Sequence, residues 1–309
     1  MSRLGISINK LKKLNVNGKV LKDVDFSEYC SFKCGGKVAL LVEINTLDNF
    51  FKVMFYLRDK NVQYYILGAG SNILCSDNGY YGVIIKLGGD FARIEYDGSV
   101  LECGAGVRLV NAYLRARDLG LAGLECGAGI PASIGGAVYM NASAYDFEIS
   151  KVVEYVIAYH NGKIKYFSCD ECQFGYRHSV FQDNNAIILR VGLKLTSDIV
   201  DNIHNRYLET LEKRKNSQPL EFPSAGCIFK RQEGVNVSRL IDECGLKGLT
   251  MGGAKVSERH ANFIINTGKA TAQEIYEIIK IIKKRVYNKT QIDIHTEIKF
   301  LGEFDEDTW

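Results

Sequence analysis

The stretch from residue 127 to residue 145 constrains this sequence most, because 11 of its 19 residues are glycine, alanine or serine. It reads GAGIPASIGGAVYMNASAY, so glycine, alanine and serine leave little side-chain bulk to pack. Protein interiors are close-packed, and something must therefore fill the space that these residues leave. Two explanations stay open at this point: tight turns that need glycine, or a bound cofactor with an extended phosphate chain.

Two further Gly-Ala-Gly triplets, at 68–70 and 104–106, each follow an apolar run. Backbone N–H groups next to glycine can approach an anion closely, so such loops can hold a diphosphate, although one isolated triplet is more often a turn. The stretch LGAGSN (67–72) is not an ordinary dinucleotide fingerprint, because Ile73 stands where the third glycine should be. We therefore expect a fold other than the Rossmann fold.

Composition excludes several classes of protein. The 309 residues predict about two domains, and 46% hydrophobic with 24% charged residues is typical of a globular chain. A net charge of +3 gives no support for a general affinity for nucleic acid. No apolar run approaches the ~20 residues of a membrane helix. The opening MSRLGISINKLKKL lacks the apolar centre of a signal peptide, so we expect a cytoplasmic chain without membrane insertion.

The nine cysteines are an odd number scattered over the chain, which does not predict a disulfide framework. Cys169 and Cys172 form a CxxC pair, but no second pair follows at the spacing of a zinc site. We therefore expect no metal and interpret most of these thiols as small packed hydrophobes.

Hydrophobic periodicity predicts a mixture of helices and strands. Strands are expected at 38–44, 64–67, 82–87, near 93–96, near 100–103, and at 186–195, 263–266 and 292–300. Helices are expected at 47–60, 107–118, 199–216, near 237–244 and at 272–288. Residues 152–167 alternate on both sides of Asn161-Gly162, which is typical of a β-hairpin. Thr271 and Glu274 predict a capping box for the last helix.

Changes in composition predict three domains, at 1–75, 76–199 and 200–309. The break at 199/200 precedes a basic helix that ends at PLEFP (219–223), and the break at 75/76 separates a βαβ unit from a strand-rich half.

Three side chains are candidates for chemistry, each with a plainer alternative. Arg177, in GYRHSVF (175–181), can clamp a carboxylate through two hydrogen bonds, but alone it is more often a surface arginine. Cys227, in PSAGCIFK (223–230), follows small turn-prone residues that would leave its thiol accessible; a lone cysteine is more often buried and inert. Glu297 either faces solvent from the final strand or points into a pocket.

Taken together, seven ordered segments resemble the UDP-N-acetylenolpyruvoylglucosamine reductase family, the flavoenzymes also called UDP-N-acetylmuramate dehydrogenases. The segments are SFKCGGKVALLVEI, LGAGSNILCSDNGYYGVIIKL, GAGIPASIGGAVYMNASAY, GYRHSVF, PSAGCIFKR, GLKGLTMGGAKVSERHANFIIN and HTEIKFLGEF. They cover nearly the whole chain and look like the shorter, type II subgroup. The resemblance implies an α+β fold, with a two-part FAD-binding region of the vanillyl-alcohol-oxidase (PCMH) type followed by a C-terminal α+β substrate domain.

The resemblance also implies an NADPH-dependent reduction of the enolpyruvyl group of a UDP-sugar in peptidoglycan precursor synthesis, with FAD as the cofactor. The two glycine-rich loops would hold FAD; their residues are Gly68, Ala69, Gly70, Ser71, Asn72, Ile130, Pro131, Ser133, Gly135, Gly136 and Ala137. Candidate substrate-binding residues are Tyr145, Tyr176, Arg214, Lys215 and Lys230. Partners other than the nucleotide sugar and NADPH are not implied.

By resemblance, Arg177 and Glu297 would stabilise an enolate-like intermediate, and Cys227 would protonate C2 of the substrate. Cys227 is a departure, since the family usually has serine there; Ser143 and Ala132 replace usual glycines, and Ser217 replaces a common lysine. A thiol with a reference pKa of ~8.5 releases its proton more readily than an alcohol, so donation stays chemically sensible. Two alternatives stay open: another FAD-dependent oxidoreductase of the same fold, or a non-catalytic protein that binds a flavin or nucleotide sugar.

Overall fold

A computed structural model describes residues 4–305, and these divide into two compact units. Unit 1 comprises the described residues up to 21 together with 40–69 and 82–213, and unit 2 comprises 22–39, 70–81 and the described residues from 214 onward. The bounds of the units differ from the predicted boundaries at 75/76 and 199/200. Residues 70–81 belong to unit 2 because their strand pairs with one near the C-terminal end. The three-domain division of the family stays a prediction.

The helices and strands are as follows. The α-helices are α1 Ile8–Leu14, α2 Leu47–Asp59, α3 Leu109–Asp118, α4 Ile134–Tyr139, α5 Val200–Ser217, α6 Val237–Glu243 and α7 Ala272–Thr290. The strands are β1 Lys19–Asp25, β2 Lys37–Ile44, β3 Tyr64–Ile66, β4 Ile73–Cys75, β5 Tyr80–Leu87, β6 Ile94–Tyr96, β7 Leu101–Gly104, β8 Leu121–Ala122, β9 Ser143–Ala144, β10 Phe147–Glu148, β11 Val153–His160, β12 Lys163–Ser168, β13 Ile187–Leu193, β14 Thr196–Ser197, β15 Thr250–Met251, β16 Ala254–Val256, β17 Ile264–Asn266 and β18 Lys299–Leu301. Short 3₁₀ turns occupy Phe26–Tyr29, Gly89–Ala92, Ile149–Lys151, Asp170–Cys172 and Val180–Gln182.

Unit 1 holds an antiparallel five-stranded sheet in the order β12-β11-β13-β7-β6 and most of a four-stranded sheet in the order β1-β2-β5-β3. The hairpin predicted around Asn161-Gly162 is confirmed, with φ angles of 50° and 87°, the left-handed values that a tight hairpin turn requires. Helix α2 begins where predicted, because the Thr46 side chain accepts a hydrogen bond from the Asn49 N–H. Its Phe50 and Leu57 are fully buried in the apolar core.

Unit 2 holds the three-stranded sheet β15-β16-β17, against which α7 packs. The predicted capping box is present, since the Thr271 side chain accepts from the Glu274 N–H and the Glu274 carboxylate accepts from the Thr271 N–H. Buried Ile275, Ile278 and Ile282 recur at helical spacing and explain why this helix was predictable.

The predicted strand at 292–300 is largely wrong. Only residues from 299 onward form a strand, β18, which runs parallel to β4 with Lys299 opposite Ile73. Before it, the chain makes a single isolated bridge between Thr296 and Phe229. Ile294 and Ile298 are buried although this segment forms no continuous strand. Their burial explains the apolar alternation from which a strand was predicted.

The remaining predicted strands and helices are confirmed with shifts of a residue or two at their ends. The predicted α+β class is confirmed by this mixture of helices with antiparallel and parallel pairs. Among residues 4–305, no helix combines the length and the apolar composition needed to cross a membrane.

Candidate active site

The two glycine-rich loops meet within unit 1. A Cβ atom placed on Gly68 would lie 2.5 Å from the Ser133 hydroxyl, so only glycine allows this approach. Ser133 is buried and caps α4, because its hydroxyl accepts a hydrogen bond from the Gly136 N–H at 3.2 Å. A Cβ atom on Gly135 would lie 2.8 Å from the Ala105 methyl group, so the middle triplet packs directly against this helix.

The second half of the first loop, Gly70 to Asn72, lies in unit 2. Gly70 has a φ of 70°, and a side chain there would collide with the Tyr29 carbonyl. Turn geometry alone therefore explains this glycine. The carbonyl of Asn72 accepts from the Lys299 N–H at 3.0 Å, and its side-chain amide donates to the Glu297 carbonyl at 3.3 Å. Asn72 thus connects the loop to the segment that carries Glu297.

The residues of these loops fit a flavin dinucleotide. Where Gly68 faces Ser133 and Gly136, no group larger than a hydroxyl projects from any of the three. Ile130 is half-buried, Pro131 is exposed and Ala137 is buried. The phosphate chain of FAD requires close approach to backbone N–H groups, and its flavin ring requires apolar residues around it. The residues of these loops provide both. FAD would be held by these loops; the assignment of individual residues to it stays a prediction.

Arg177 is held in unit 1 by the segment that precedes β10. Its Nη1 donates to the Ser143 hydroxyl at 2.9 Å and to the Ser143 carbonyl at 3.2 Å, and its guanidinium lies 5.6 Å from the centre of the Tyr176 ring. Arg177 and Tyr145 both have positive φ angles, 53° and 55°. Left-handed backbone at non-glycine residues is strained and clusters at functional sites.

A carboxylate lies close to this arginine. Glu148 accepts hydrogen bonds from the Ser150 hydroxyl and the Asn141 amide, both at 2.8 Å, and these bonds lower the pKa of its carboxyl group, with a smaller contribution from the charge of Arg177. The Asn141 amide also donates to the Gly175 carbonyl at 2.9 Å. Asn141 therefore fixes the loop of Arg177 to the strand pair of Ser143.

Unit 2 brings Cys227 and Glu297 onto adjacent segments. Cys227 bridges Phe263 on one side, while the next residue, Ile228, accepts from the Glu297 N–H at 2.7 Å on the other. Gly226 precedes the cysteine with a φ of 75° and open space around it, so the chain turns sharply there. Cys227 is half-buried, and the accessibility of its thiol stays a prediction.

The predicted substrate-binding residues differ in exposure. Tyr145 and Tyr176 are exposed, at 43% and 48%, and the Tyr176 ring lies beside the Arg177 guanidinium. Lys215 is exposed, Lys230 is half-buried, and Arg214 is buried at 8% exposure. The carbonyls of Lys215 and Gln218 accept hydrogen bonds from Arg259 Nη1, which also pairs with Glu221.

Asn262 was missed by the sequence reasoning although it lies within the quoted segment SERHANF. It is buried, and its amide forms two hydrogen bonds of 2.9 Å with the main chain of Phe229, accepting from the N–H and donating to the carbonyl. It therefore fixes the turn that carries Cys227. The sequence signal for this role was an amide side chain between apolar residues expected to be buried, because a buried amide needs hydrogen-bond partners.

Lys86 and Glu125 were also missed. The Lys86 ammonium donates to the Gly68 carbonyl at 3.1 Å, and burial lowers its pKa. Buried Glu125 accepts from the Gly123 N–H at 2.6 Å and from Arg206 at 2.8 Å, which fixes the start of the small-residue stretch. In the part of the chain that the structure describes, no group of three His, Cys, Asp or Glu side chains could hold a metal ion.

Comparisons with known proteins find similar domains, relatives and a solved structure. The model of the C-terminal domain of UDP-N-acetylenolpyruvoylglucosamine reductase matches residues 218–301, and an FAD-binding domain model matches residues 38–165. The reductase of that name from Clostridium botulinum (strain 657 / Type Ba4) is 41% identical over 290 residues, which are 93% of this chain and 94% of the relative. The one from Syntrophomonas wolfei is 40% identical over 277 residues, 89% and 93% of the two chains. The crystal structure of UDP-N-acetylenolpyruvylglucosamine reductase from Thermus caldophilus has a TM-score of 0.79 at 34% identity, and the match covers 92% of this chain and 99% of that one.

Proposed function

The chain belongs to the UDP-N-acetylenolpyruvoylglucosamine reductase family, and we propose from this premise how its own residues carry out the reaction. It is an FAD-dependent oxidoreductase that reduces the enolpyruvyl group of UDP-N-acetylglucosamine enolpyruvate to UDP-N-acetylmuramate in peptidoglycan precursor synthesis. The observation that carries this assignment is 41% identity over 93% of the chain to a reductase of that name. The proposal concerns the roles of individual residues.

FAD is bound through the loop from Gly68 to Asn72 and through Ile130, Pro131, Ser133, Gly135, Gly136 and Ala137. The contact between Gly68 and Ser133 supports this, because it joins the two loops at residues that have no bulky side chain. FAD held there would supply the hydride for C3 of the enolpyruvyl ether, with NADPH as its source. The protein must then stabilise the negative charge that develops at C2 and on the adjacent carboxylate.

Arg177 stabilises that charge. A guanidinium can bind a carboxylate through two parallel hydrogen bonds, and it is most effective when its position is fixed before the charge appears. Both bonds to Ser143 use Nη1 and hold the guanidinium in position. Electrostatic preorganisation of this kind is the largest contribution that a charged side chain makes to catalysis.

Cys227 donates a proton to C2, and Glu297 hydrogen-bonds the same intermediate. Their adjacent segments support a shared role, because the Glu297 N–H bonds to the residue that follows the cysteine. One hydride at C3 and one proton at C2 complete the two-electron reduction, while NADPH becomes NADP⁺. Glu297 must be protonated or hydrogen-bonded in that step, since a bare carboxylate would repel the forming anion.

The nucleotide sugar is bound by Tyr145 and Tyr176 and by the basic side chains of Arg214, Lys215 and Lys230. The exposure of the two tyrosines supports contact with the substrate. Arg214 is mostly buried, so of the three cations Lys215 and Lys230 are better placed to meet a diphosphate from solvent. We propose a cytoplasmic enzyme whose partners are its small-molecule substrates, with no nucleic acid.

The test is NADPH oxidation by the purified holoenzyme with and without the enol ether. We expect flavin absorbance in the protein and NADPH consumption that depends on the enol ether. Arg177→Ala should lower kcat by about 100-fold or more, as loss of an oxyanion-stabilising group does. Arg115→Ala, an exposed arginine of α3, is the control and should keep full activity. Oxygen consumption without enol ether would instead identify an oxidase, and bound flavin without any turnover would identify a binding protein.

A further inference from the structure

Arg177 lies in a tight turn whose backbone conformation is costly for it. Gly175 and His178 close the turn, because the N–H of each donates to the carbonyl of the other at 3.1 Å. Among the four residues of the turn only the third, Arg177, has a positive φ, 53°. Glycine is the usual residue at that position of such a turn, so other residues adopt this conformation only where neighbouring groups hold it.

One of the groups that hold the turn is the side-chain amide of Gln182. Its Nε2 donates to the Arg177 carbonyl at 3.0 Å and to the Tyr139 carbonyl at 2.9 Å. A side-chain amide nitrogen carries two donors, so it can make both hydrogen bonds at once. Gln182 is half-buried and ends a short 3₁₀ turn that begins shortly after His178. It therefore connects the main chain of Arg177 to a second segment of unit 1, at Tyr139.

Tyr139 is the last residue of α4, the helix that carries three of the proposed FAD-binding residues. Main-chain carbonyls at the end of a helix have no partner within the helix and need one from elsewhere. The Tyr139 carbonyl has two such partners, since the hydroxyl of fully buried Ser179 also donates to it, at 2.8 Å. Gln182 and Ser179 thus attach the end of this helix to the segment of Arg177, while Ser133 caps its beginning.

We propose that Gln182 is a positioning residue, which fixes Arg177 relative to α4 and therefore to FAD. This rests on the proposed role of Arg177 in stabilising the charge on the substrate carboxylate. Ser143 accepts from the guanidinium and Gln182 donates to the main chain, so the two contacts hold Arg177 at both ends. A charged group stabilises a transition state best when its position is fixed beforehand, and a misplacement of about 1 Å can cost about 100-fold in rate.

Two variants remove the donors of Gln182, and a third restores them. Gln182→Met has a similar length without any N–H group, and Gln182→Glu has a carboxylate that cannot donate when ionised. Gln182→Lys carries three donors on a long side chain and can still bond both carbonyls. Gln63→Met, at an exposed glutamine of the same unit, is the matched control.

Stopped-flow absorbance of the flavin in the holoenzyme measures both halves of the reaction, and hydrogen exchange of a peptide spanning residues 175–182 measures the turn itself. We expect Gln182→Met and Gln182→Glu to slow flavin reoxidation by the enol ether by about 10- to 100-fold and to leave flavin reduction by NADPH within about threefold. Exchange in the peptide should rise by about fivefold or more in the same variants. Gln182→Lys should recover the reoxidation rate to within about threefold of the native rate, and Gln63→Met should change neither measurement.

Comparison with Arg177→Ala shows whether Gln182 acts through the arginine. In that background Gln182→Met should slow reoxidation by no more than about twofold further, because the group that it positions is absent. A further slowing as large as in the native background would overturn the proposal, and so would a lysine variant as slow as the methionine variant. Native reoxidation in Arg177→Ala would overturn the proposed role of the arginine itself, and with it this proposal. A slow Arg177→Ala beside a native Gln182→Met would overturn the positioning role alone.

Discussion

Replacing Asn262 by alanine should loosen the turn that carries Cys227. In the native protein the side-chain amide satisfies both the N–H and the carbonyl of Phe229, each at 2.9 Å. Phe229 is only 1% exposed, so water cannot replace these bonds after truncation. The main-chain bond from the Ile228 N–H to the Asn262 carbonyl remains, because it does not involve the side chain.

The expected magnitude follows from two buried main-chain groups left without a partner. Each such group costs about 1–3 kcal/mol, so together Asn262→Ala should destabilise the turn by about 2–6 kcal/mol. Since 1.4 kcal/mol is a factor of ten, local opening should become about 30- to 20,000-fold more frequent. Asn262→Asp should not rescue the turn, because one carboxylate oxygen would face the Phe229 carbonyl.

Hydrogen exchange measured by mass spectrometry on a peptide spanning residues 226–231 is the direct assay. The exchange rate should rise by the factor given above in both Asn262 variants, and kcat should fall by about tenfold or more while bound flavin stays constant. Asn78→Ala, at an exposed position of the same unit, should change the rate by less than about threefold. An Asn262→Ala protein with native exchange in this peptide would refute the reasoning.

Two further predictions concern the proposed catalytic groups, and a third concerns the stability contribution of Glu148. Turnover should fall at alkaline pH as the Cys227 thiol ionises, and Cys227→Ser should lose that alkaline limb; a limb retained in the serine variant would exclude the thiol as its origin. Ser143→Gly removes a hydroxyl bond to Arg177 and should lower kcat by about 3- to 10-fold with little change in KM for NADPH; unchanged kcat would mean that the carbonyl bond suffices. The pKa of Glu148 is lowered by its hydrogen bonds, so its contribution to stability is present above the unfolded value of about 4.3 and is lost as pH falls through the folded value. Urea unfolding at pH 6 and pH 3 should therefore show a larger loss for the native protein than for Glu148→Gln, and equal losses would contradict this.

Local signals made much of the fold predictable. The capping residue and buried stripe of α7, the Thr46 cap of α2 and the Asn161-Gly162 turn each act over a few neighbouring residues. Structure that depends on distant partners was not predictable in the same way. Strand β4 has only three residues and exists through its pairing with β18, more than 200 residues later in the chain.

In the candidate site, too, local motifs were predictable and groups that act on distant residues were not. Motif resemblance supplied the residues expected to touch FAD and substrate, including Arg177, Cys227 and Glu297. It could not supply the groups that hold them, because Ser143, Asn141 and Asn262 act through hydrogen bonds to residues far away in sequence. The sequence marked Ser143 only as a departure from the usual glycine. In the structure its hydroxyl accepts a hydrogen bond from Arg177.

The claim at the centre of this account is that Cys227 supplies the proton in the second half of the reaction. Stopped-flow absorbance on Cys227→Ala holoenzyme separates the halves, first with NADPH alone and then, anaerobically, with the enol ether added to reduced enzyme. The account predicts flavin reduction by NADPH at the native rate and reoxidation by the enol ether slowed by about 100-fold or more, the usual loss on removing a general acid. Reoxidation of the alanine variant at the native rate would contradict it.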